Sequence, residues 1–209
     1  MNNIWKISTV ILAVALVATQ ATDIVKNNKP SEEKESITID TDKDVMNVIK
    51  SRTSVRSYTD QAIPEDVMTQ ILEAGMAAPS GVNKQPWEFI VVTDRAMLDK
   101  LATKKKMLKD AQAAIIVAGH SDVDNGGSVY WYQDCSAASQ NILLAAHSFG
   151  IGAVWTTVHP HKELEAEVRE IVGMPESVSA LNIISMGYPD TEQQPKQKWN
   201  VDKIHYNKW

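Results

Sequence analysis

Ala77–Val92 reads AAPSGVNKQPWEFIVV. Pro79 denies a helix its next backbone donor and Gly81 frees the backbone, so PSGVN is a turn that breaks whatever helix precedes it. The aromatic and β-branched residues that follow predict a strand over Trp87–Thr93. Upstream, Ile63-Pro64-Glu65 starts a helix with proline near its first turn, and Val67, Ile71, Leu72 and Met76 give that helix one apolar face. Further upstream, Thr41 or Asp42 serves as N-cap to a helix striped with Val45, Met46, Val48 and Ile49. Downstream, a helix runs from Asp94 to about Met107. Ala113–Gly119 is an almost wholly apolar strand, of the kind covered on both faces. Val129–Phe149 is a long helix, ended by Gly150, whose segment CSAASQNILLAA is small or apolar nearly all round. Its burial requires its own sheet or a second subunit. A strand over Ile151–Val158, a helix over Lys162–Val172 ending at Gly173, and a strand over Val178–Gly187 complete an α+β sandwich. An extended polar tail with scattered aromatics follows.

The chain has 209 residues, 44% of them hydrophobic, which suffices for one sizeable core. A formal charge of −5 gives no general attraction for nucleic acid or acidic membrane surfaces, although one local cationic pocket for a phosphate is compatible with it. The single cysteine, Cys135, excludes an intrachain disulfide and any cysteine-cluster metal site. His159 and His161 flank Pro160 without a carboxylate pattern, so no metal site is expected there. No dinucleotide fingerprint, phosphate-binding Walker loop or nucleophile elbow occurs.

Residues 1–21 have the pattern of a signal peptide. A weakly basic start precedes the uncharged run Ile7–Ala18, and Thr19 and Ala21 are small residues suited to cleavage after Ala21. The run is short for a membrane span, and an uncleaved anchor is the alternative. No cysteine follows for a lipid anchor and no twin arginine precedes, which predicts export of an unfolded chain. Residues 22–40 are mostly polar and charged and read as a flexible linker, leaving 41–209 as the folded domain.

The segment Ser51–Tyr58, SRTSVRSY, lies about two dozen residues before the turn. Arg52, Ser54 and Arg56 alternate, so in an extended segment their side chains share one side. Two guanidiniums and a hydroxyl suit a phosphate, each charge-assisted hydrogen bond contributing roughly 1.5–3 kcal/mol. The turn Pro79-Ser80-Gly81-Val82-Asn83 offers backbone groups, a hydroxyl and an amide.

The string PSGxNxQPWxF, the SRTSVRSY loop, the helix and strand DCSAASQNILLAAHSFGIGAVWT and the tail GYPDTEQQPKQKW together resemble the FMN-dependent nitroreductase family, over about Asp44–Trp209. The resemblance implies a three-layer α/β/α sandwich around a small mixed, mainly antiparallel sheet, in a homodimer with a flavin at each of two subunit-boundary pockets. It implies that Arg52 and Ser54 hold the FMN phosphate and that Arg56 lies near the pyrimidine side of the ring. There a fixed cation favours the reduced anion, and about 1.4 kcal/mol of preference raises a two-electron potential by about 30 mV. Pro79, Ser80, Gly81 and Asn83 are implied ring contacts, Trp87 and Phe89 packing, and Trp155, Thr156 and Thr157 a border to the ring. Lys196 and Lys198 return to the phosphate; lysine at the second position, where arginine is common, keeps charge but loses bidentate geometry.

No side chain is implied as catalytic, because the flavin carries the chemistry. The implied activity is ping-pong transfer of two electrons from a small-molecule donor, NAD(P)H or another donor if the chain is exported, to a nitroaromatic or quinone-like acceptor. A flavin-binding carrier without turnover, outside the cytoplasm, is the alternative from a different class. PSGVN is also similar to the iodotyrosine deiodinase branch. However, Asp94–Asp110 is short and lacks that branch's Glu-Tyr-x-x-x-Lys lid, which makes reductive dehalogenation the weaker alternative. Export and a nicotinamide donor conflict. Either the apolar N-terminus anchors a cytoplasmic domain, or the exported enzyme uses a different donor.

Overall fold

The computed structural model describes residues 45–123 and 126–209. The leader, the linker and the Thr41/Asp42 cap lie outside the described residues.

The sheet has four strands, β1 (Trp87–Val92), β2 (Ala113–His120), β3 (Gly152–Thr157) and β4 (Val178–Gly187), in the spatial order β1-β2-β4-β3. All three ladders are antiparallel. Among the described residues a single parallel bridge, Ser54 to Ala153, adds the loop after the first helix to the β3 edge and makes the sheet mixed there.

Side-chain alternation along the central strands builds two cores. On one face, Ile115, Val117, Ile184 and Met186 meet α2 (Glu65–Met76) and α4 (Trp131–Ser148) through Val67, Ile71, Ala138 and Ile142. On the other, Ala114, Ile116 and Ile183 meet α3 (Arg95–Lys104) and α5 (Lys162–Val172) through Leu98, Leu101 and Val168. The result is three layers, α/β/α, with β2 and β4 buried between them, and each fully buried aliphatic side chain contributes about 1.5–3 kcal/mol.

Local signals set the element ends. The Asp94 carboxylate accepts from Met97 N at 2.8 Å and caps α3. Gly150 (φ 74°) and Gly173 (φ 67°) take the left-handed conformation that stops α4 and α5. Two expectations are corrected. Met76 is exposed and Met68 is buried in its place, because the apolar stripe of α2 runs through Val67, Met68, Ile71 and Gly75. The α3 helix ends at Lys104, and Lys106–Leu108 forms a separate 3₁₀ turn.

Helix α1 (Val45–Ser51) buries no residue: its stripe lies outward, with Val45 69% and Ile49 46% exposed. The α4 helix is buried on one side only, through Cys135, Ala138, Ser139, Ile142 and Ala146, while Gln133 and Gln140 face outward.

Candidate functional site

The arginine loop docks against the C-terminal end of α4 and the start of β3. Ser51 Oγ and His147 Nε2 lie 2.8 Å apart, and Val55 N donates to Ala153 O at 3.2 Å. Val55 is buried and Arg56 exposed, as the alternation requires. Gly152 makes the docking possible, since a Cβ there would come within 2.7 Å of Val55 Cβ. Tyr58 pins the far end of the loop. Its hydroxyl lies 2.8 Å from Val55 O and 3.1 Å from both Ser185 O and Ser185 Oγ, and burial pushes its pKa up to about 12.

A cleft of about 290 Å³ opens here, lined by Ser51, Arg52, Thr53, His147, Ile151 and the tail stretch Thr191–Pro195. Arg52 is half-buried. It spends one N–H on Thr53 O at 2.8 Å, and desolvation lowers its pKa. Arg56 donates to Ser54 O at 3.0 Å. Neither arginine forms an ion pair among the described residues. A guanidinium has five N–H donors, so this donor set, with the Ser54 hydroxyl, fits a phosphate. The tail is tied to the loop by Thr59 N donating to Tyr188 O at 2.8 Å and by Ser57 Oγ donating to Asp190 at 2.6 Å, a bond that holds the Asp190 carboxyl below its usual range. Lys196 follows the cleft-lining Pro195 directly, and Lys196 and Lys198 are both exposed.

The PSGVN turn lies at the other end of α4. Gly81 N donates to Asp134 Oδ1 at 3.0 Å, and the Tyr130 ring would sit 3.2 Å from a Cβ at Gly81. The small residue therefore makes room for Tyr130, and its N–H is spent inside the protein. Ser80 Oγ accepts from Gln85 N at 2.9 Å, which leaves its own O–H to donate outward. Asn83, exposed, accepts from Gln85 Nε2 at 3.2 Å, and Pro79 is exposed. The turn is strained: Val82, Asn83 and Gln85 have φ of 46°, 57° and 48°.

One chain therefore does not bring the two halves together. Asp134 and His147 are separated by more than three turns of α4, about 20 Å along its axis. The three β3 residues divide as a strand must. Trp155 packs on the α2–α4 side, whereas Thr156 is buried on the opposite face with its hydroxyl on Met107 Sδ at 3.1 Å, and Thr157 is exposed. Only the backbone of Thr156 can serve a ligand on the Trp155 side. Beside the turn, Trp131 meets His159 edge-on at 4.9 Å and Tyr132 stacks on it at 6.4 Å. The His159 ring faces Glu165 at 3.7 Å. Among the described residues no group of three or more His, Cys, Asp or Glu is placed to hold a metal.

Asp134 is the residue that sequence reading missed. Its position in the first turn of α4 reads as an ordinary helix-dipole acid, although it is the only acid in an otherwise small and apolar helix.

Comparison with known proteins agrees with this architecture. The sequence profile of the Nitroreductase family matches residues 49–188. A protein of Methanothermobacter thermautotrophicus named for NADH dehydrogenase/NAD(P)H nitroreductase activity is 44% identical, the match covering 79% of this chain and 88% of that one. A similarly named crystal structure from Bacteroides thetaiotaomicron is 48% identical with a TM-score of 0.76, covering 79% of this chain and 98% of the other. An FMN-dependent nitroreductase from Clostridium difficile is 31% identical with a TM-score of 0.73, covering 78% and 99%. More distantly, an iodotyrosine deiodinase of Thermotoga neapolitana is 25% identical over 76% of this chain and 95% of its own. The profile and the identities, carried by the same domain that holds the arginine loop, α4 and the PSGVN turn, make this chain an oxidoreductase of the nitroreductase family.

Proposed function

We propose that the chain is an FMN-dependent oxidoreductase that works as a homodimer, each site joining the arginine loop of one protomer to the PSGVN turn of its partner. The observation that carries this reading is the separation of the two half-sites along α4. Two copies packed with α4 antiparallel put each C-terminal end beside the other copy's N-terminal end, which a single copy cannot do. The half-buried α4 and the exposed apolar side chains Val45, Ile49, Trp199, Tyr206 and Trp209 supply surface for such a partner.

In this reading Arg52 and Ser54, with Lys196 and Lys198 from the tail, hold the phosphate, and Arg56 stands near the ring. Ser80 and Asn83 of the partner's turn meet the polar edge of the ring, and Trp155 with Thr157 borders it. Bound FMN would supply two-electron chemistry. The protein supplies position, charge and exclusion of water, and donor and acceptor use the site in turn. We infer NAD(P)H as donor for a cytoplasmic domain and nitroaromatic or quinone-like acceptors. If residues 1–21 direct export, the donor is of another class, because nicotinamide nucleotides are cytoplasmic. Fractionation decides the address: an unprocessed, protease-protected domain contradicts export.

The test of the function is the visible spectrum of the purified domain lacking residues 1–21, taken anaerobically before and after NADH or NADPH. Flavin bands that bleach, with turnover of a nitroaromatic or quinone, are the expected result. Bands that persist without turnover under any donor support a carrier, and no bands after FMN is supplied contradict the cofactor.

A further inference from the structure

Asp134 is 6% exposed, and only one of its carboxylate oxygens is used: Oδ1 accepts from Gly81 N at 3.0 Å, while the buried Oδ2 has no hydrogen-bond partner among the described residues. Burying a carboxylate with an orphan oxygen is costly, and the single bond to Gly81 N does little more than offset that cost. Stability therefore does not account for an acid here. What the acid does is local. It grips Gly81, the third residue of the turn, just before residues forced into left-handed backbone, including the β-branched Val82, for which that conformation is unfavourable. Without an external grip, a solvent-exposed turn of this kind relaxes to one of many lower-energy forms. Tyr130, the residue that leads into α4, packs its ring against Gly81, so the turn is fixed to the start of α4 by one hydrogen bond and one ring.

We propose that Asp134 is a positioning residue for the flavin site: its carboxylate fixes Gly81 and thereby holds Ser80 and Asn83 in the geometry that receives the ring. The proposal rests on the FMN reading given above. Asp134 acts through Gly81 and does not itself touch the cofactor. The acceptor on Oδ1 is the working part, so asparagine, which keeps an acceptor, substitutes for it, whereas alanine does not.

The test compares wild type, Asp134→Asn and Asp134→Ala by three readouts: FMN affinity from quenching of flavin fluorescence, melting temperature of the FMN-free protein, and amide exchange of Gly81 by NMR. Loss of one such bond predicts FMN binding weakened about tenfold in Asp134→Ala. It also predicts faster Gly81 exchange and a melting temperature close to that of wild type, because relief of the buried orphan oxygen offsets the lost bond. Asp134→Asn keeps the slow Gly81 exchange and binds FMN within about threefold of wild type. Wild-type FMN affinity in Asp134→Ala overturns the proposal, as does a lowered melting temperature with affinity unchanged, the mark of a purely structural role. An equal loss of affinity in both variants also overturns it, by assigning the effect to charge. If Asp134→Ala does not fold, Asp134→Asn alone decides: slow Gly81 exchange with near-native affinity supports the clamp, and fast exchange with native affinity overturns it. Failure of the wild type to bind FMN would refute the cofactor reading instead, leaving the Gly81 exchange data as the measure of the clamp.

Discussion

At the C-terminal end of α4 the chain keeps charge available, and at the N-terminal end it keeps shape. The arginine loop offers two guanidiniums that, among the described residues, make hydrogen bonds only to backbone carbonyls of their own loop, beside a cleft. The PSGVN turn has almost the reverse character. Its donors are largely spent inside the protein, on Asp134, Ser80 and Gly81, and what remains outward is a strained shape with a hydroxyl and an amide on it. Charge recognises a phosphate over several ångströms and tolerates mobility; contacts to a planar ring need a fixed surface. The two ends are therefore suited to the two ends of one cofactor, held on different protomers.

The largest expected effect comes from removing the charge. Arg52→Ala combined with Arg56→Ala should weaken FMN binding by about 100-fold or more in a fluorescence titration, from charge-assisted bonds of about 1.5–3 kcal/mol each. With Arg52→Ala alone, which leaves Arg56 at the ring, riboflavin, which lacks the phosphate, should lose far less than FMN, and equal losses would mean that Arg52 does not read phosphate. Next is the docking of the loop. Gly152→Ala forces a methyl to within 2.7 Å of Val55, so denaturant unfolding should report a loss of about 1–3 kcal/mol. Tyr58→Phe removes the hydroxyl that ties the loop to Ser185 and should cost about 1 kcal/mol or somewhat more.

The N-terminal part of α4 also supplies a pH prediction, at the residue next to Asp134. The Cys135 thiol is pushed up to about 12 by burial and, next, by the Asp134 charge. The folded state thus resists deprotonation more than the unfolded one. Its contribution to stability is complete below the unfolded value near 9 and is lost as pH rises from there toward 12. Native protein should be inert to a thiol reagent at pH 8 and react fully when denatured. The smallest effect is expected at Val82→Gly, where relief of a β-branched residue at φ 46° offsets the backbone entropy of glycine, leaving stability within about 1 kcal/mol of wild type.

Most of the fold was legible in the chain because its punctuation is local. Gly150, Gly173 and Asp94 stop or start helices by their own backbone or side-chain chemistry, and the helix Lys162–Val172 and the strand Val178–Gly187 have the ends read from sequence. The burial of Met68 rather than Met76 was less legible, since both fit a helical stripe and tertiary packing chooses between them. Thr156 illustrates a rule available in sequence: consecutive strand residues face opposite ways, so Trp155 and Thr156 cannot both present side chains to one ring. The arginine loop and the turn were legible as chemistry but not as places. They are close in sequence, and it is α4 that carries their anchor residues, His147 and Asp134, about 20 Å apart along its axis. Asp134 was hidden because its partner is a backbone N–H, which no residue pattern announces.

Subunit complementation tests the divided site most directly. Arg52→Ala/Arg56→Ala protein and Ser80→Ala/Asn83→Ala protein, each deficient in FMN binding, are unfolded together and refolded as a mixture, and heterodimers are isolated by two affinity tags. A site shared between protomers leaves each heterodimer with one doubly damaged site and one intact site, so one FMN should bind per heterodimer with wild-type affinity. A site built within a single chain leaves every site damaged, and heterodimers that bind no FMN would contradict the account.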